Sequence, residues 1–389
     1  MNAFLKPVQP RAAVTGSAAG LLALAALSFS LSGCGLFGSS KPKPPELPEL
    51  KNSALGIEWS ASAGKSSGFI FLPGFADKLV YAASYDSGVY AFAEDGGREV
   101  ARIDTKAPLT AGVGVADNMV VAVSNKGEVL AVDPTGRPLW KAQISGEVLA
   151  APTIAGGFVL VRTADGRLFA LNRIDGKRKW VYQRPPPSLT LRTSAGVLVN
   201  RGTIYAGFAG GKVVAIELES GKPTWEATIS VARGATELER IADVAGVPVV
   251  DESRVCAAVY QGRTGCVETL NGNVLWSREI PSSDGVAIDT KNLYVSDSVG
   301  NVYALDKISG ATLWKQEKLI HREPGTPLVI NGKVLVGDAN GLVHLLSSEN
   351  GELIGRVDTD GSRVVALLQN SGRAFVQTAR GGVFSLKIQ

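Results

Sequence analysis

A short hairpin motif recurs eight times along this 389-residue chain and limits what the chain can fold into. The clearest copy, residues 300–314, reads G-N-V-Y-A-L-D-K-I-S-G-A-T-L-W. It predicts a short strand, a tight turn rich in Asp, Ser and Gly, and a second strand that ends on Trp. A lone hairpin is marginal in water, so each copy must pack on its neighbours. The copies align at Val89, Val129, Leu168, Val213, Thr264, Val302, Val343 and Val383.

The spacing of these eight markers predicts the fold class. They lie 38 to 51 residues apart, and most steps are close to 40. A period of about 40 residues with several short strands per repeat is typical of a four-stranded propeller blade. The motif resembles the quinoprotein-type blade, whose signature A-x-D-x-x-T/S-G-x-x-x-W fits residues 304–314. We therefore predict an all-β chain that forms an eight-bladed β-propeller of four-stranded antiparallel blades.

The last repeat lacks its final strand, and the missing strand lies at the other end of the domain. The eighth copy stops after its third strand, whereas residues 55–59 (L-G-I-E-W) read like the strand that ends a blade. We expect this N-terminal strand to pair onto the last blade and close the ring, which removes an edge that would template aggregation. Trp59 is then structural, like the other five tryptophans.

The first 33 residues have the pattern of a signal peptide. Lys6 and Arg11 precede an apolar stretch at 16–30, which is short for a membrane span. L-S-G-C at 31–34 resembles the bacterial lipobox, which implies a lipid on Cys34 after cleavage at residue 33. The alternative is an ordinary secretory signal with an accidental cysteine. Gly35 stands where an Asp would retain many lipoproteins in the inner membrane, so we expect the outer membrane, on its periplasmic face.

Two further regions complete the predicted organisation. Residues 34–50 are Pro-rich without alternation and predict a lipidated, semi-extended tether. Residues 51–389 are predicted to form one propeller domain. Removal of residues 1–33 deletes two basic and no acidic residues, so the net charge falls from +4 to +2. A charge this small gives no sign of a nucleic-acid partner.

Two connections between repeats are longer than the rest. The distance from Trp to the next marker is 26 to 29 residues after Trp140, Trp276 and Trp314, but 33 after Trp180 and 39 after Trp225. Both expansions fall between the outer strand of one blade and the inner strand of the next. They should therefore lie on one face, in adjacent sectors, and such insertions usually mark a binding face.

The first insert, residues 184–192, reads R-P-P-P-S-L-T-L-R. Its prolines stiffen the loop and remove backbone donors. Leu189 and Leu191 alternate with Thr190, so both point the same way, with Arg192 beside them. Apolar anchors next to an Arg suit an interface, whereas the alternative is that the leucines tuck under the loop.

The second insert, residues 230–246, contains G-A-T-E-L-E-R-I-A-D at 234–243. Thr236 and Glu239 have capping-box spacing, which indicates a helical turn. Glu237 and Arg240 could pair across one turn, although an exposed pair contributes little. The alternative is a solvated loop with incidental charges.

The two inserts resemble a known family more specifically than the blades do. S-L-T-L-R at 188–192 and T-E-L-E-R-I-A-D-V-x-x-x-P-V-V at 236–250 are similar to segments of the BamB family, the eight-bladed propeller lipoproteins of the outer-membrane β-barrel assembly machinery. The resemblance implies a non-enzymatic scaffold that binds the POTRA region of the central barrel protein and assists insertion of β-barrel proteins. Nascent outer-membrane proteins are a further possible partner.

The resemblance also assigns partner contacts. It implies that Leu189, Leu191, Arg192 and Asp243 bind the POTRA region. The family often has a second acid two residues after Asp243, and this chain has Ala245 there. That departure puts more weight on Asp243.

Cys256 and Cys266 flank a predicted hairpin tip at 260–263. They face each other only across a loop of odd length, and the glycine positions of the sibling hairpins favour an even loop. We therefore expect two unpaired thiols, although an oxidising periplasm would allow a disulfide.

No residues point to catalysis, a cofactor or a metal site. The only histidines, His321 and His344, lie in different repeats, and no Ser-His-Asp or Cys-His arrangement can be proposed. The rival class is a quinoprotein dehydrogenase, because the blade motif is shared, but the adjacent cysteines of such enzymes are missing. A third alternative is a propeller lipoprotein that serves another envelope partner.

Overall fold

The computed structural model describes residues 42–50, 53–86, 88–185 and 187–389. Within these ranges the chain forms 32 strands in eight antiparallel four-stranded sheets, so the predicted eight-bladed β-propeller is confirmed. Residues 44–389 make up one unit of the chain. The predicted signal peptide and Cys34 lie outside the described residues. None of the described residues belongs to a helix long and apolar enough to cross a membrane.

Each blade comprises four consecutive strands, except that the last takes its fourth strand from the N-terminus. The strands of the first half of the ring are β1 (Leu55–Ser62), β2 (Gly74–Ala76), β3 (Leu79–Ser84), β4 (Gly88–Ala93), β5 (Glu99–Ile103), β6 (Gly114–Ala116), β7 (Met119–Val123), β8 (Glu128–Val132), β9 (Pro138–Gln143), β10 (Thr153–Ala155), β11 (Phe158–Arg162), β12 (Leu168–Asn172), β13 (Arg178–Tyr182), β14 (Val197–Asn200), β15 (Thr203–Phe208), β16 (Lys212–Glu217) and β17 (Pro223–Thr228). Those of the second half are β18 (Val249–Val250), β19 (Arg254–Ala258), β20 (Thr264–Glu268), β21 (Val274–Arg278), β22 (Val286–Ile288), β23 (Asn292–Ser296), β24 (Val302–Asp306), β25 (Thr312–Gln316), β26 (Leu328–Ile330), β27 (Lys333–Gly337), β28 (Leu342–Ser347), β29 (Leu353–Asp358), β30 (Val364–Asn370), β31 (Arg373–Thr378) and β32 (Gly382–Ile388).

The N-terminal strand closes the ring as predicted. β1 pairs antiparallel with β32, from Leu55 opposite Ile388 to Ser62 opposite Gly382. Blade 8 therefore has the order β1-β32-β31-β30, and blades 1 to 7 follow from β2 onwards in groups of four. Pairing the two ends of the domain in one sheet leaves the ring without an open edge between its first and last blades.

Tryptophans connect neighbouring blades. In all six cases the indole N–H donates to a backbone carbonyl of the following blade, at 2.8 to 3.0 Å, which satisfies the polar group of a largely buried ring. The acceptors, in chain order of the tryptophans, are Glu94, Arg173, Leu218, Thr269, Lys307 and Ser348. The apolar core is thus a series of layers between blades.

The topology places both inserts on one face, which we call the insert face. It carries the connections from each outer strand to the next inner strand, together with the tips between the second and third strands of each blade. Hydrogen bonds join these two sets of loops: Tyr260 N donates to Asp243 O at 2.9 Å, and Ala339 N donates to Arg322 O at 2.9 Å. The turns between third and fourth strands lie on the opposite face.

The expectation of two unpaired thiols is wrong. Cys256 and Cys266 form a disulfide between β19 and β20 and are directly opposite each other in the ladder. Ala258 pairs with Thr264, so five residues separate the last ladder pair and the loop is odd. The glycine position could not distinguish an odd from an even loop. The Val259–Arg263 hydrogen bond closes a three-residue tip, and such a tip also has a glycine, Gly262, near its end.

Candidate functional site

The first insert presents apolar and basic side chains to solvent. It connects β13 to β14, and its Leu189 side chain is 43% exposed. Leu191 is half-buried and Arg192 is exposed. The three residues of the S-L-T-L-R motif that were assigned to a partner are therefore together on the insert face.

Asp243 lies beneath this loop and is only 4% exposed. Its Oδ2 atom accepts a hydrogen bond from the backbone N–H of Leu191 at 2.6 Å. Directly after the first insert, Thr193 Oγ1 donates to the carbonyl of Ala245, a residue of the second insert, at 2.7 Å. The end of the second insert therefore holds the end of the first, and the carboxylate of Asp243 is used within the protein.

A buried arginine supports the same loop from below. Arg162, at the end of β11, is 8% exposed and donates from Nη1 to the carbonyls of Ala195 and Gly196 at 3.1 and 3.3 Å. It also donates to Gly207 O and lies over the ring of Phe208, 5.0 Å from the centroid. These contacts fix the start of blade 4 directly after the first insert.

Burial shifts the pKa values of both charged groups beneath the loop. It lowers the pKa of Arg162 to about 10, although the charge of Asp243 opposes this shift. It raises the pKa of Asp243, opposed by hydrogen bonds from Leu191 and Gly210 and by the charge of Arg162. Each group therefore offsets part of the other's desolvation cost.

Arg192 is held by contacts to other blades. Its Nε atom donates to Glu147 Oε2 at 2.9 Å, and a second bond joins its Nη2 to the other carboxylate oxygen. This bidentate hydrogen bond lowers the pKa of Glu147, against a smaller rise from burial. The guanidinium also lies 5.5 Å from the centroid of Phe69, which stacks on Tyr85. Arg192 is thus held in place by these contacts while its side chain stays accessible to solvent.

The second insert contains the predicted helical turn. Glu239 N donates to Thr236 Oγ1 at 3.3 Å, and Thr236 N donates back to Glu239 Oε2 at 3.0 Å, which is the reciprocal capping box. The Glu237–Arg240 pair forms at 3.1 Å, with both side chains about half-exposed. Leu238 and Val231 are 66% and 70% exposed, so the second insert also presents apolar groups on this face.

A cavity of about 620 Å³ lies at the propeller axis. Residues of the innermost strands β14, β18, β22 and β30 line it, and most are Val, Leu or Ile. Asp284 and Arg363 contribute its charged groups, and burial raises the pKa of Asp284. Among the described residues, no three His, Cys, Asp or Glu side chains form a group that could hold a metal ion.

Sequence reasoning missed Arg162 and Glu147. Arg162 stands directly opposite the marker Leu168 in the ladder, and the corresponding residue of every other blade is uncharged. A single charged residue at a repeat position that is uncharged in the other seven blades was therefore a usable signal for Arg162. Glu147 had no comparable signal, because the 45 residues that separate it from Arg192 are bridged only by the packing of loops on one face.

Fold and site together define a class: an eight-bladed propeller of quinoprotein-type repeats with a loop-built, partly apolar surface on one face. A family model described as "Outer membrane protein assembly factor BamB" matches residues 85–316 and 300–389. The chain belongs to this family.

Curated relatives carry the same name. The factor from Nitrosomonas eutropha is 41% identical over 333 residues, which cover 85% of this chain and 81% of the relative. Those from Burkholderia pseudomallei and Escherichia coli K12 are 35% and 33% identical and cover 94% and 92% of this chain, and 97% and 95% of their own lengths.

Two solved structures share this fold. BamB from Moraxella catarrhalis matches with a TM-score of 0.79 and 26% identity, over 86% of this chain and 99% of that one. A quinohemoprotein alcohol dehydrogenase from Comamonas testosteroni matches with a TM-score of 0.69 over 87% of this chain and 78% of its own, but at 15% identity it shows only the shared fold.

Proposed function

We propose that this protein is a non-enzymatic scaffold for outer-membrane protein assembly, which binds the POTRA region of the central barrel protein through its insert face. The observation that carries the proposal is the preformed loop surface of Leu189, Leu191 and Arg192, held on a buried Asp243. The relatives named as outer-membrane protein assembly factors support it.

The four residues divide into two roles in this proposal. Leu189, Leu191 and Arg192 contact the partner, since they are accessible and combine apolar area with a bidentate donor. Asp243 is a positioning residue, because its carboxylate is buried and bonds Leu191 N. An acidic group of the partner would share or replace Glu147 at the guanidinium of Arg192.

The membrane attachment belongs to the same proposal. Residues 1–33 are removed as a signal peptide, Cys34 carries the lipid, residues 34–50 connect it to the propeller, and residues 51–389 form the propeller domain. The protein then works at the outer membrane on the periplasmic side. An anchor raises the effective concentration of a scaffold beside a membrane-embedded partner.

Two alternative functions are weighed against this proposal. A quinoprotein-type dehydrogenase shares the fold, but the adjacent cysteines of that class are absent from this sequence. A scaffold for another envelope partner would use the same insert face with a different ligand. Nascent outer-membrane proteins are a possible second ligand.

The test is binding of the mature protein to the POTRA region from its own species. It compares wild type with a Leu189→Ala/Leu191→Ala/Arg192→Ala variant whose Tm is unchanged. The matched control replaces three exposed apolar residues of the opposite face, Ile174→Ala/Leu270→Ala/Ile308→Ala. We expect saturable binding that weakens about a hundredfold or more in the insert variant and is retained in the control.

Asp243 is tested by a conservative rescue. Asp243→Asn keeps an acceptor for Leu191 N and should keep most of the affinity, whereas Asp243→Ala should lose it.

Equal binding by wild type and the insert triple variant would move the site elsewhere. Absence of binding to the POTRA region under all conditions would favour the other envelope partner.

A further inference from the structure

The Pro-rich segment before the propeller is docked on the outside of the ring. Residues 45–50 read P-E-L-P-E-L, and Leu47 packs against the core cluster between blades 6 and 7 that includes Trp314 and Val334. Glu46 and Glu49 face solvent. The segment therefore has one apolar contact and one charged, solvated side.

Two arginines bind carbonyl groups of this segment. Arg322 Nη2 donates to Pro45 O at 3.1 Å, and Arg356 Nη2 donates to Pro48 O at 3.2 Å. A Pro-rich extended segment has free carbonyls because it makes no internal hydrogen bonds, so paired guanidinium donors are well suited to hold it. The two donors come from different parts of blade 7: Arg356 from the outer strand β29, and Arg322 from the connection that enters the blade.

Arg322 is itself fixed from within the protein. Its side chain is 11% exposed, and its Nη1 lies 3.7 Å from Oδ2 of Asp338, a fully buried carboxylate. The same Oδ2 is 3.1 Å from Nε2 of His344, which is also fully buried. A buried network thus orients the guanidinium that meets the segment.

The path of the docked segment determines where the chain leaves the propeller. Leu55 starts β1 opposite Ile388, the end of β32, and therefore lies at the face opposite the inserts. Going towards the N-terminus, Ala54 N donates to Ile354 O at 3.2 Å, Arg356 N donates to Ser53 Oγ at 3.1 Å, and Pro45 reaches Arg322. The carbonyl of Arg322 accepts a hydrogen bond from Ala339 N, at the tip between the second and third strands of blade 7, which lies on the insert face. The Pro45 end of the segment therefore lies on the insert face.

We propose that the segment 44–50 is a docked strap that makes the anchoring chain leave the propeller from the insert face, and so orients that face towards the membrane. The proposal rests on the lipid anchor proposed at Cys34. A fully extended chain from Cys34 to Leu55 spans at most about 70 Å, whereas one from Cys34 to Pro44 spans at most about 35 Å. Docking thereby halves the reach and selects the exit face.

The first test measures whether the strap is docked. The lipidated protein in vesicles is digested with a glutamyl endopeptidase, which cuts after Glu46 and Glu49. The strap variant, Leu47→Ser/Arg356→Ala, removes the apolar contact of Leu47 and the hydrogen bond from Arg356 to Pro48 O. It leaves the buried Arg322–Asp338–His344 network intact. The matched control, Leu275→Ser/Arg178→Ala, makes the same changes on outer strands of other blades.

We expect wild type and control to resist cleavage and the strap variant to be cut about tenfold faster, since cleavage follows the population of the released segment. Cleavage of wild type at the rate of the strap variant overturns the docking.

The second test measures orientation. A fluorophore is attached at Lys126→Cys on the insert face or at Thr135→Cys on the opposite face of blade 2, and energy transfer to a membrane dye is recorded. We expect stronger transfer from Lys126→Cys, and loss of this difference in the strap variant. Equal transfer from both sites in wild type, or an unchanged difference in a variant whose strap is released, overturns the proposed orienting role.

Binding to the soluble POTRA region separates this proposal from the proposed function. The strap variant leaves Leu189, Leu191 and Arg192 untouched, so its affinity in solution should equal that of wild type. Lost orientation with retained binding supports the strap. A strap variant that loses affinity in solution contradicts the assignment of a purely orienting role.

Discussion

Gly310 lies flat against the indole of Trp276, which belongs to the preceding blade. A Cβ atom at Gly310 would fall 2.5 Å from two ring carbons of Trp276, and the indole Nε1 donates to Lys307 O in the same turn at 3.0 Å. The glycine of the Gly-x-x-x-Trp motif therefore serves the tryptophan one repeat earlier, not the one four residues later. Gly97, Gly176, Gly221, Gly272 and Gly351 make the same contact.

Gly310→Ala should therefore destabilise the propeller by more than backbone strain alone. Gly310 has φ +70, and Gly332 has the similar φ of +68, but a methyl group at Gly332 would meet no heavy atom of the described residues within 4 Å. We expect Gly332→Ala to cost about 1 kcal/mol in the free energy of unfolding, and Gly310→Ala about 1 to 3 kcal/mol more. Urea unfolding measures both, and equal losses would show that the indole contact is not tight.

Arg162→Met should be destabilising because it removes the buried donors to Ala195 and Gly196 and a nearby charge that opposes the burial of Asp243. We expect a loss of about 1 to 3 kcal/mol in the free energy of unfolding, because buried carbonyls are left without a donor. The double variant Arg162→Met/Asp243→Asn should lose less than the sum of the single variants, since neither charge then remains alone. A strictly additive double-mutant cycle would contradict the coupling.

The pH dependence of stability should reveal the ionisation of Asp243. Its pKa is raised above the ordinary 3.8, so between that value and the folded pKa the unfolded chain loses the proton while the folded protein keeps it. Stability from this group is thus highest at low pH and falls as the pH rises through this window. The free energy of unfolding of wild type relative to Asp243→Asn should decline as the pH is raised from about 3.8. A difference that grows with pH would contradict the raised pKa.

Removal of the Cys256–Cys266 disulfide should weaken the hairpin that supports the second insert. The bond closes a loop with a sequence separation of 10, for which chain entropy predicts a loss of about 3 kcal/mol in the free energy of unfolding. Tyr260 N at the hairpin tip donates to Asp243 O, so exchange of the Tyr260 amide should also accelerate. Chemical unfolding with and without reductant measures the loss, and a Cys256→Ala/Cys266→Ala variant should not respond to reductant. A wild type insensitive to reduction would contradict a stabilising bond.

Repetition made the fold readable from the sequence. The eight markers predicted the blades because each marker pairs locally with the end of the preceding strand. Residues 55–59 predicted ring closure because they supplied the one strand that the last repeat lacked. The inserts were located by their length against the other connections. In each case the signal was a local pattern compared with its own copies.

Only the tertiary structure decided how distant segments meet. It buries Asp243 under Leu191, 52 residues away, and places Glu147 at Arg192, 45 residues away. It gives the cysteine hairpin an odd loop, and it lays Leu47 against Trp314. The sequence determined the repeats because strands and turns depend on neighbouring residues, whereas burial, loop-to-loop hydrogen bonds and the path of the strap depend on which surfaces the closed ring brings together.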